Sequence, residues 1–177
     1  MGQAHEISKG LNLPIKGHPN QTIKDGAPIE KVAVVADDFP FMKAKLLVNE
    51  GDDVKRGQRL FEDRKNPGVF FTAPGAGTVT SINRGERRRL ISVVVELNER
   101  EQRGAASDED FQPFDSYKAG GASAINAQEL RALLIESGLW TTLRARPMSQ
   151  VPAVDSECGA LFVTAIDTNP LALDVNV

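Results

Sequence analysis

Between Lys31 and Leu97 short apolar segments alternate with turn residues at nearly regular intervals. Val32–Ala36, Lys43–Val48, Arg59–Glu62, Val69–Thr72, Thr78–Ile82 and Leu90–Leu97 carry the strand signals. The acidic turn Glu50-Gly51-Asp52-Asp53, then Gly57-Gln58, Asn66-Pro67-Gly68 and Gly75-Ala76-Gly77 separate them. Short strands punctuated in this way predict an all-β sandwich or small barrel. Lys43-Ala44-Lys45-Leu46 alternates polar with apolar, so one face of that strand is buried and the other wet.

The texture changes on either side. Residues 1–30 are rich in Gly, Pro, Asn and Lys and have little periodicity. Asn98–Ser123 is polar and charged, which predicts a linker with Asp108-Glu109-Asp110 in solvent and Phe111, Phe114 and Tyr117 pinning it to a surface. Beyond it, Asn126 with Glu129 three residues on forms a capping box. It opens a helix whose Leu130, Leu133, Leu134 and Ser137 share a face, with Gly138 at the C′ position. Leu161-Phe162-Val163-Thr164-Ala165-Ile166 is a nearly continuous apolar run, the pattern of a strand covered on both faces in an α/β sheet.

The fold class expected is therefore mixed α and β. A β-rich barrel–sandwich region with an irregular N-terminal segment occupies residues 1–103, a linker residues 104–123, and an α/β segment residues 124–177. One helix and one parallel strand do not make a domain, because such a strand needs neighbours and crossover helices. The last segment is thus expected to be the truncated start of a larger α/β domain.

Composition narrows the function. A net charge of −3 over 177 residues supplies no general attraction for nucleic acid. Arg84-Gly85-Glu86-Arg87-Arg88-Arg89 is a local exception at a hairpin, readable as a solvated turn or as a contact to an acidic partner or lipid headgroups. No run approaches the about 18 apolar residues that cross a bilayer, and residues 1–10 lack the apolar stretch of a secretory signal. A single cysteine, Cys158, excludes an intramolecular disulfide and suits a reducing compartment.

Catalytic chemistry has little to draw on. His5 and His18 are the two histidines, and with one cysteine they make no zinc site. Cys158 reads as a small buried residue before a strand. There is no G-x-x-x-x-G-K-[ST] and no G-x-G-x-x-G. What remains is the segment from Gly138 to Ser149, where a strand-end loop gathers Trp140, Arg144 and Arg146. Such loops bind ligands in α/β sheets, and two guanidinium groups with an indole could grip an anion or stack a ring. The alternative is that Trp140 covers a helix end and both arginines face water.

Two resemblances add to this. The order G-D-x-V-x-x-G-Q-x-L then A-P-x-x-G-x-V, from Gly51 to Val79, resembles the biotinyl/lipoyl-type half-motif, which elsewhere presents a modified lysine at a hairpin tip. The lysine here is Lys65, flanked by Arg64 and Asn66-Pro67-Gly68 rather than by carrier-type neighbours, so a lipoyl-like carrier is the weaker reading. More specifically, four motifs occur in one order: Lys9-Gly10-Leu11-Asn12-Leu13-Pro14-Ile15, Leu60–Val69, Ser137-Gly138-Leu139-Trp140-Thr141 and Ala165–Ala172. Together they resemble the A-subunit of the bacterial sodium-translocating NADH:quinone oxidoreductase.

That resemblance implies a peripheral subunit on the cytoplasmic face of the bacterial inner membrane. The complex couples NADH oxidation and ubiquinone reduction to sodium export, and its A-subunit is associated with quinone access and assembly. It implies partners among the other subunits, ubiquinone as a candidate small-molecule ligand, and no cofactor in this chain. FAD, FMN, riboflavin and an iron–sulfur cluster belong to other subunits. The A-subunit is also similar to the flavin-bearing NADH-binding subunit of complex I and to the Rnf-type C-subunit, whose corresponding loop is Gly-rich. Here no glycine follows Gly138 up to Ser149, so a degenerate flavin- or NADH-binding module is the rival reading.

Overall fold

The computed structural model describes residues 15–17, 19–120, 124–167, 169 and 171–173. Lys9–Pro14, His5, His18, Thr168 and Pro170, which figure in the motifs above, lie outside the described residues. The chain forms two units, residues 28–157 and a second that joins residues 1–27 with 158–177.

In the first unit seven strands build two antiparallel sheets. They are β1 (Lys31–Val35), β2 (Ala44–Leu46), β3 (Asp53–Val54), β4 (Arg59–Asp63), β5 (Phe70–Thr72), β6 (Gly77–Arg84) and β7 (Leu90–Leu97). One sheet has the order β1-β7-β6-β3 and the other β2-β4-β5. The chain changes sheet between β1 and β2, between β2 and β3, between β3 and β4, and between β5 and β6. This repeated exchange makes the barrel–sandwich. Six strands fall where the hydrophobic pattern puts them; β3 is the addition, a two-residue strand that closes the edge of β6.

Burial follows the pleat. Leu60, Phe61, Val69, Val79, Val93 and Val95 are fully buried, each worth ~1.5–3 kcal/mol of burial. The Phe61 and Phe71 rings stack at 4.6 Å, and Phe39 meets Phe71 edge-on at 4.6 Å, an arrangement that adds to area burial. Pairing between β6 and β7 slips at Val79/Ser81 and again at Asn83/Arg84. Such bulges raise the local twist and let a long hairpin curl over the core.

The segment after β7 departs from the expected linker. A single helical turn, α1 (Glu99–Gln102), follows the Asn98 cap, and Asp108–Asp110 forms a tight turn. Asp110 is 2% exposed, not solvated. Arg100 grips it through two bonds of 2.8 Å, and Asn98 and Ser107 donate to it as well. Arg56 Nε donates to the buried Glu101 at 3.0 Å, and the Ala76 N–H donates to the same carboxylate at 2.9 Å. The partners of Glu101 stand 45 and 25 residues away in sequence, so composition alone reads the stretch as loose.

Helix α2 (Ala127–Glu136) has the expected capping box. The Glu129 N–H donates to Asn126 Oδ1 at 2.9 Å, and the Asn126 N–H donates to Glu129 Oε2 at 3.0 Å. Its contact with the core differs from the predicted face: Leu134 and Ile135 pack against the core, while Leu130 is 41% exposed. Only the last turn reaches the β-structure, anchored where Thr72 Oγ1 donates to the Ser137 carbonyl at 3.1 Å.

Among its described residues the second unit has no helix or strand. The strand expected at Leu161–Ile166 is not formed: Phe162 is 87% and Val163 81% exposed. An apolar run becomes a strand only when a neighbour takes up its N–H and C=O groups, and none among the described residues does. Cys158 is exposed rather than buried, its thiol donating to the Ala160 carbonyl at 3.0 Å.

The tightest constraint on the long hairpin is Gly77. A Cβ there would lie 1.9 Å from the Glu96 carbonyl oxygen, on backbone that cannot yield without parting β6 from β7. Gly77→Ala should therefore lower stability in urea unfolding by roughly 3 kcal/mol or more. Gly159→Ala, where a Cβ meets nothing within 4 Å, should stay within about 0.5 kcal/mol.

Candidate functional site

The loop after α2 is placed by its two ends. Gly138, at φ 80°, turns the chain out of the helix in a conformation suited to glycine. A Cβ at this position would also come within 2.6 Å of Thr72 Oγ1. Ala145 and Gln150 then pair as an isolated bridge, the Ala145 N–H donating to the Gln150 carbonyl at 2.8 Å. Between these points lie the three residues singled out in the sequence, and they part company.

Trp140 sits in a short helical turn, Leu139–Thr142, and is 6% exposed. Its ring belongs to the hydrophobic core with Val151, and its indole N–H donates to the Pro152 carbonyl at 2.9 Å. The Arg131 guanidinium lies 5.1 Å from the ring centre and donates to the Val154 carbonyl at 2.7 Å. Trp140 thereby fastens the returning chain to α2.

Arg144 and Arg146 are exposed. The Arg144 guanidinium lies 4.6 Å from the centre of the Phe39 ring and donates to the Thr141 carbonyl. Arg146 reaches Ser149 Oγ at 3.5 Å. The structure thus puts two guanidinium groups on one loop surface with the indole beneath it.

This loop borders a cavity of about 480 Å³ that sequence patterning does not reveal. Phe39, Met42, Phe71 and Val151 give it apolar lining, and Asp63, Lys65 and Asn66 polar lining. Size and mixed lining fit a small organic ligand. The signal that could have found it is Phe39-Pro40-Phe41-Met42, an apolar turn wedged between Asp37-Asp38 and Lys43. Phe41 is held at φ 67° with 60% of its surface exposed.

Lys65 sits on the β4–β5 hairpin, whose geometry is set by side chains of that hairpin. Asp63 accepts the Lys65 N–H at 3.0 Å and the Asn66 side chain at 3.2 Å, and Glu62 accepts the Gly68 N–H at 3.1 Å. That Gly68 bond, with Lys45 alongside, holds the Glu62 carboxyl below the ordinary carboxylate range.

The segment between β7 and α2 is held electrostatically. The Arg100 guanidinium keeps the Asp110 carboxyl well below the usual range, helped by the Ser107 N–H and the Asn98 amide. Burial pushes the Glu136 carboxyl up, but the Ser116 hydroxyl and the N–H groups of Ser116 and Asp115 outweigh it and leave it lowered. Among the described residues no helix is long and apolar enough to cross a membrane.

Two hairpin-linked sheets followed by a capped helix and a returning loop define the class: a barrel–sandwich domain leading into part of an α/β domain. Residues 5–98 match the family described as the NqrA N-terminal barrel-sandwich hybrid domain, and residues 125–177 match the NqrA second alpha/beta domain. The chain belongs to the NqrA family. It is 50% identical over 169 residues to the A-subunit of the Na(+)-translocating NADH-quinone reductase of Neisseria meningitidis serogroup C, covering 96% of this chain and 36% of that protein. It is 48% identical over 171 residues to the protein of the same name from Haemophilus influenzae strain PittEE, covering 97% and 36%. The chain therefore spans about a third of the length of the curated relatives it matches.

Two outcomes follow from this geometry. Because the Asp110 carboxyl is lowered in the fold, the folded state is favoured at neutral pH and that contribution holds down to about pH 4, the ordinary carboxylate value. Below this the unfolded chain takes up the proton first and the contribution is lost. Asp110→Asn should lower stability at pH 7 and flatten the acid side of a stability–pH curve measured by urea unfolding. Trp140→Ala should cost about 3–5 kcal/mol in the same assay, whereas Arg146→Ala should stay within about 0.5 kcal/mol.

Proposed function

We propose that this chain is part of the A-subunit of a sodium-translocating NADH:quinone reductase, lying peripherally on the cytoplasmic face of the membrane. The observation that carries the reading is identity of 48–50% over nearly the whole chain to proteins of that name. In this reading the complex oxidises NADH, reduces ubiquinone and exports sodium, and its redox cofactors are held by other subunits. The chain itself serves quinone access and assembly.

Several features support a contact role over a catalytic one. Arg144 and Arg146 present donors from an anchored loop, which is how a neighbouring subunit or an anionic ligand is gripped. The adjoining cavity, lined in part by Phe39, Met42 and Phe71, suits the flat apolar ring of a quinone. The loop lacks the successive glycines whose backbone N–H groups cradle a flavin phosphate. At Lys65, the turn is fixed by Asp63 and Glu62 rather than offered as a carrier arm.

The test is made in the full-length protein within the assembled complex. Arg144→Ala combined with Arg146→Ala should reduce NADH-driven, sodium-dependent quinone reduction or retention of the subunit during purification. A buried interfacial arginine is often worth ~2 kcal/mol, so a loss of tenfold or more is expected. Unchanged activity and retention would show that the two arginines are ordinary surface residues. Failure of the unmodified subunit to enter the complex would overturn the whole reading.

A further inference from the structure

A second concavity, of about 680 Å³, opens where three turns converge: Phe39–Met42, the β4–β5 hairpin and the β6–β7 hairpin. Eight of its lining residues are Lys or Arg and only Asp37 is acidic. The chain as a whole carries three more negative than positive groups. Basic charge is thus concentrated on this one end of the barrel–sandwich against the sign of the remainder.

Most of that charge is unspent. Lys45 pairs with Glu62 and Arg89 with Asp37. Lys43, Arg64, Lys65, Arg84, Arg87 and Arg88 are exposed and have no carboxylate partner among the described residues. Phe41 rises beside them at 60% exposure, flanked by Pro40 and Met42.

We propose that this face docks on a bilayer surface rich in anionic phospholipid, with the basic side chains among the headgroup phosphates and Phe41 at the level where headgroups meet acyl chains. The six unpaired cations come from three separate turns and stand on long stems. That suits a diffuse array of phosphates better than a set of carboxylates at defined positions. A lone aromatic amid basic residues is the usual means of gaining a shallow apolar foothold at such an interface. The choice of a lipid surface rests on the membership of a membrane complex proposed above, and it would set which end of the domain faces the membrane.

The experiment is sedimentation of the 177-residue chain with vesicles of phosphatidylcholine alone and with vesicles in which phosphatidylglycerol makes up about a third of the lipid. Binding should favour the anionic vesicles by about tenfold or more and weaken as salt rises. Lys65→Glu with Arg87→Glu should abolish the preference, and the milder pair Lys43→Gln and Lys65→Gln should reduce it, each with an unchanged thermal unfolding curve. Phe41→Ser should weaken binding without removing its salt dependence.

Equal binding to both vesicle types, or unaltered binding by either charge variant once folded, would overturn the proposal. So would displacement from vesicles by millimolar inorganic phosphate at constant ionic strength, which would mark a small-anion pocket. Loss of subunit retention in the charge variants, when the unmodified chain ignores anionic vesicles, would assign the face to an acidic protein instead. Failure of vesicle binding with normal entry into the complex would overturn the lipid proposal and leave the proposed subunit role standing.

Discussion

A carboxylate withdrawn from water must find its hydrogen bonds in the protein or lose its charge, and Glu101 imposes that constraint on the centre of this chain. Its side chain is 2% exposed and is satisfied by Arg56 from the turn before β4 and by the Ala76 N–H from the turn before β6. Removing one partner would leave a buried charge uncompensated, the costly case for such pairs. The segment leaving β7 therefore cannot swing free. It is pulled back across the barrel–sandwich, and Arg100 and Asp110 repeat the device one turn later. Glu136 extends it to α2 by accepting the Asp115 and Ser116 N–H groups. The straps fix the path from β7 to α2, and Trp140 in the core and the Thr72–Ser137 bond then place the loop from Gly138 to Ser149.

The apolar core makes the straps possible without dictating them. Phe39, Phe61 and Phe71 form a continuous aromatic cluster that joins the turn after β1 to the three-stranded sheet. The same Phe39 that packs on Phe71 inside lies under the Arg144 guanidinium outside. Core and candidate site are two faces of one ring, so repacking the core at Phe71 would be felt at Arg144.

Much of the architecture is legible in the chain because it is local. The turns at Gly51, Gly57, Gly68 and Gly77 mark strand ends by backbone chemistry, and the Asn126–Glu129 box starts α2 where it should. What is not legible is set by side-chain partners that only the fold brings together. Asp110 reads as one of three adjacent acids until Arg100 and Asn98 are folded against it, and Glu101 meets Arg56 from 45 residues away. Leu161–Ile166 has the composition of a buried strand but no pairing partner among the described residues. At the candidate site, residue types singled out a loop but not the orientation of its side chains: the indole faces the core and the guanidinium groups face water. The Phe39–Met42 turn, which contributes to both cavities, carries a signal only in hindsight, as an apolar turn between charged neighbours.

The edge position of β2 gives the lysines of the basic groove another consequence. Strand β2 is the outermost member of its sheet, with one row of backbone donors and acceptors unclaimed by β4. Lys43 immediately precedes it and Lys45 projects from its middle, and charged side chains on an edge discourage a second chain from adding a strand there. A modification or substitution that silenced these two charges would thus change the colloidal behaviour of the protein as well as its contacts. The edge would then lack the charges that discourage a second strand from adding there.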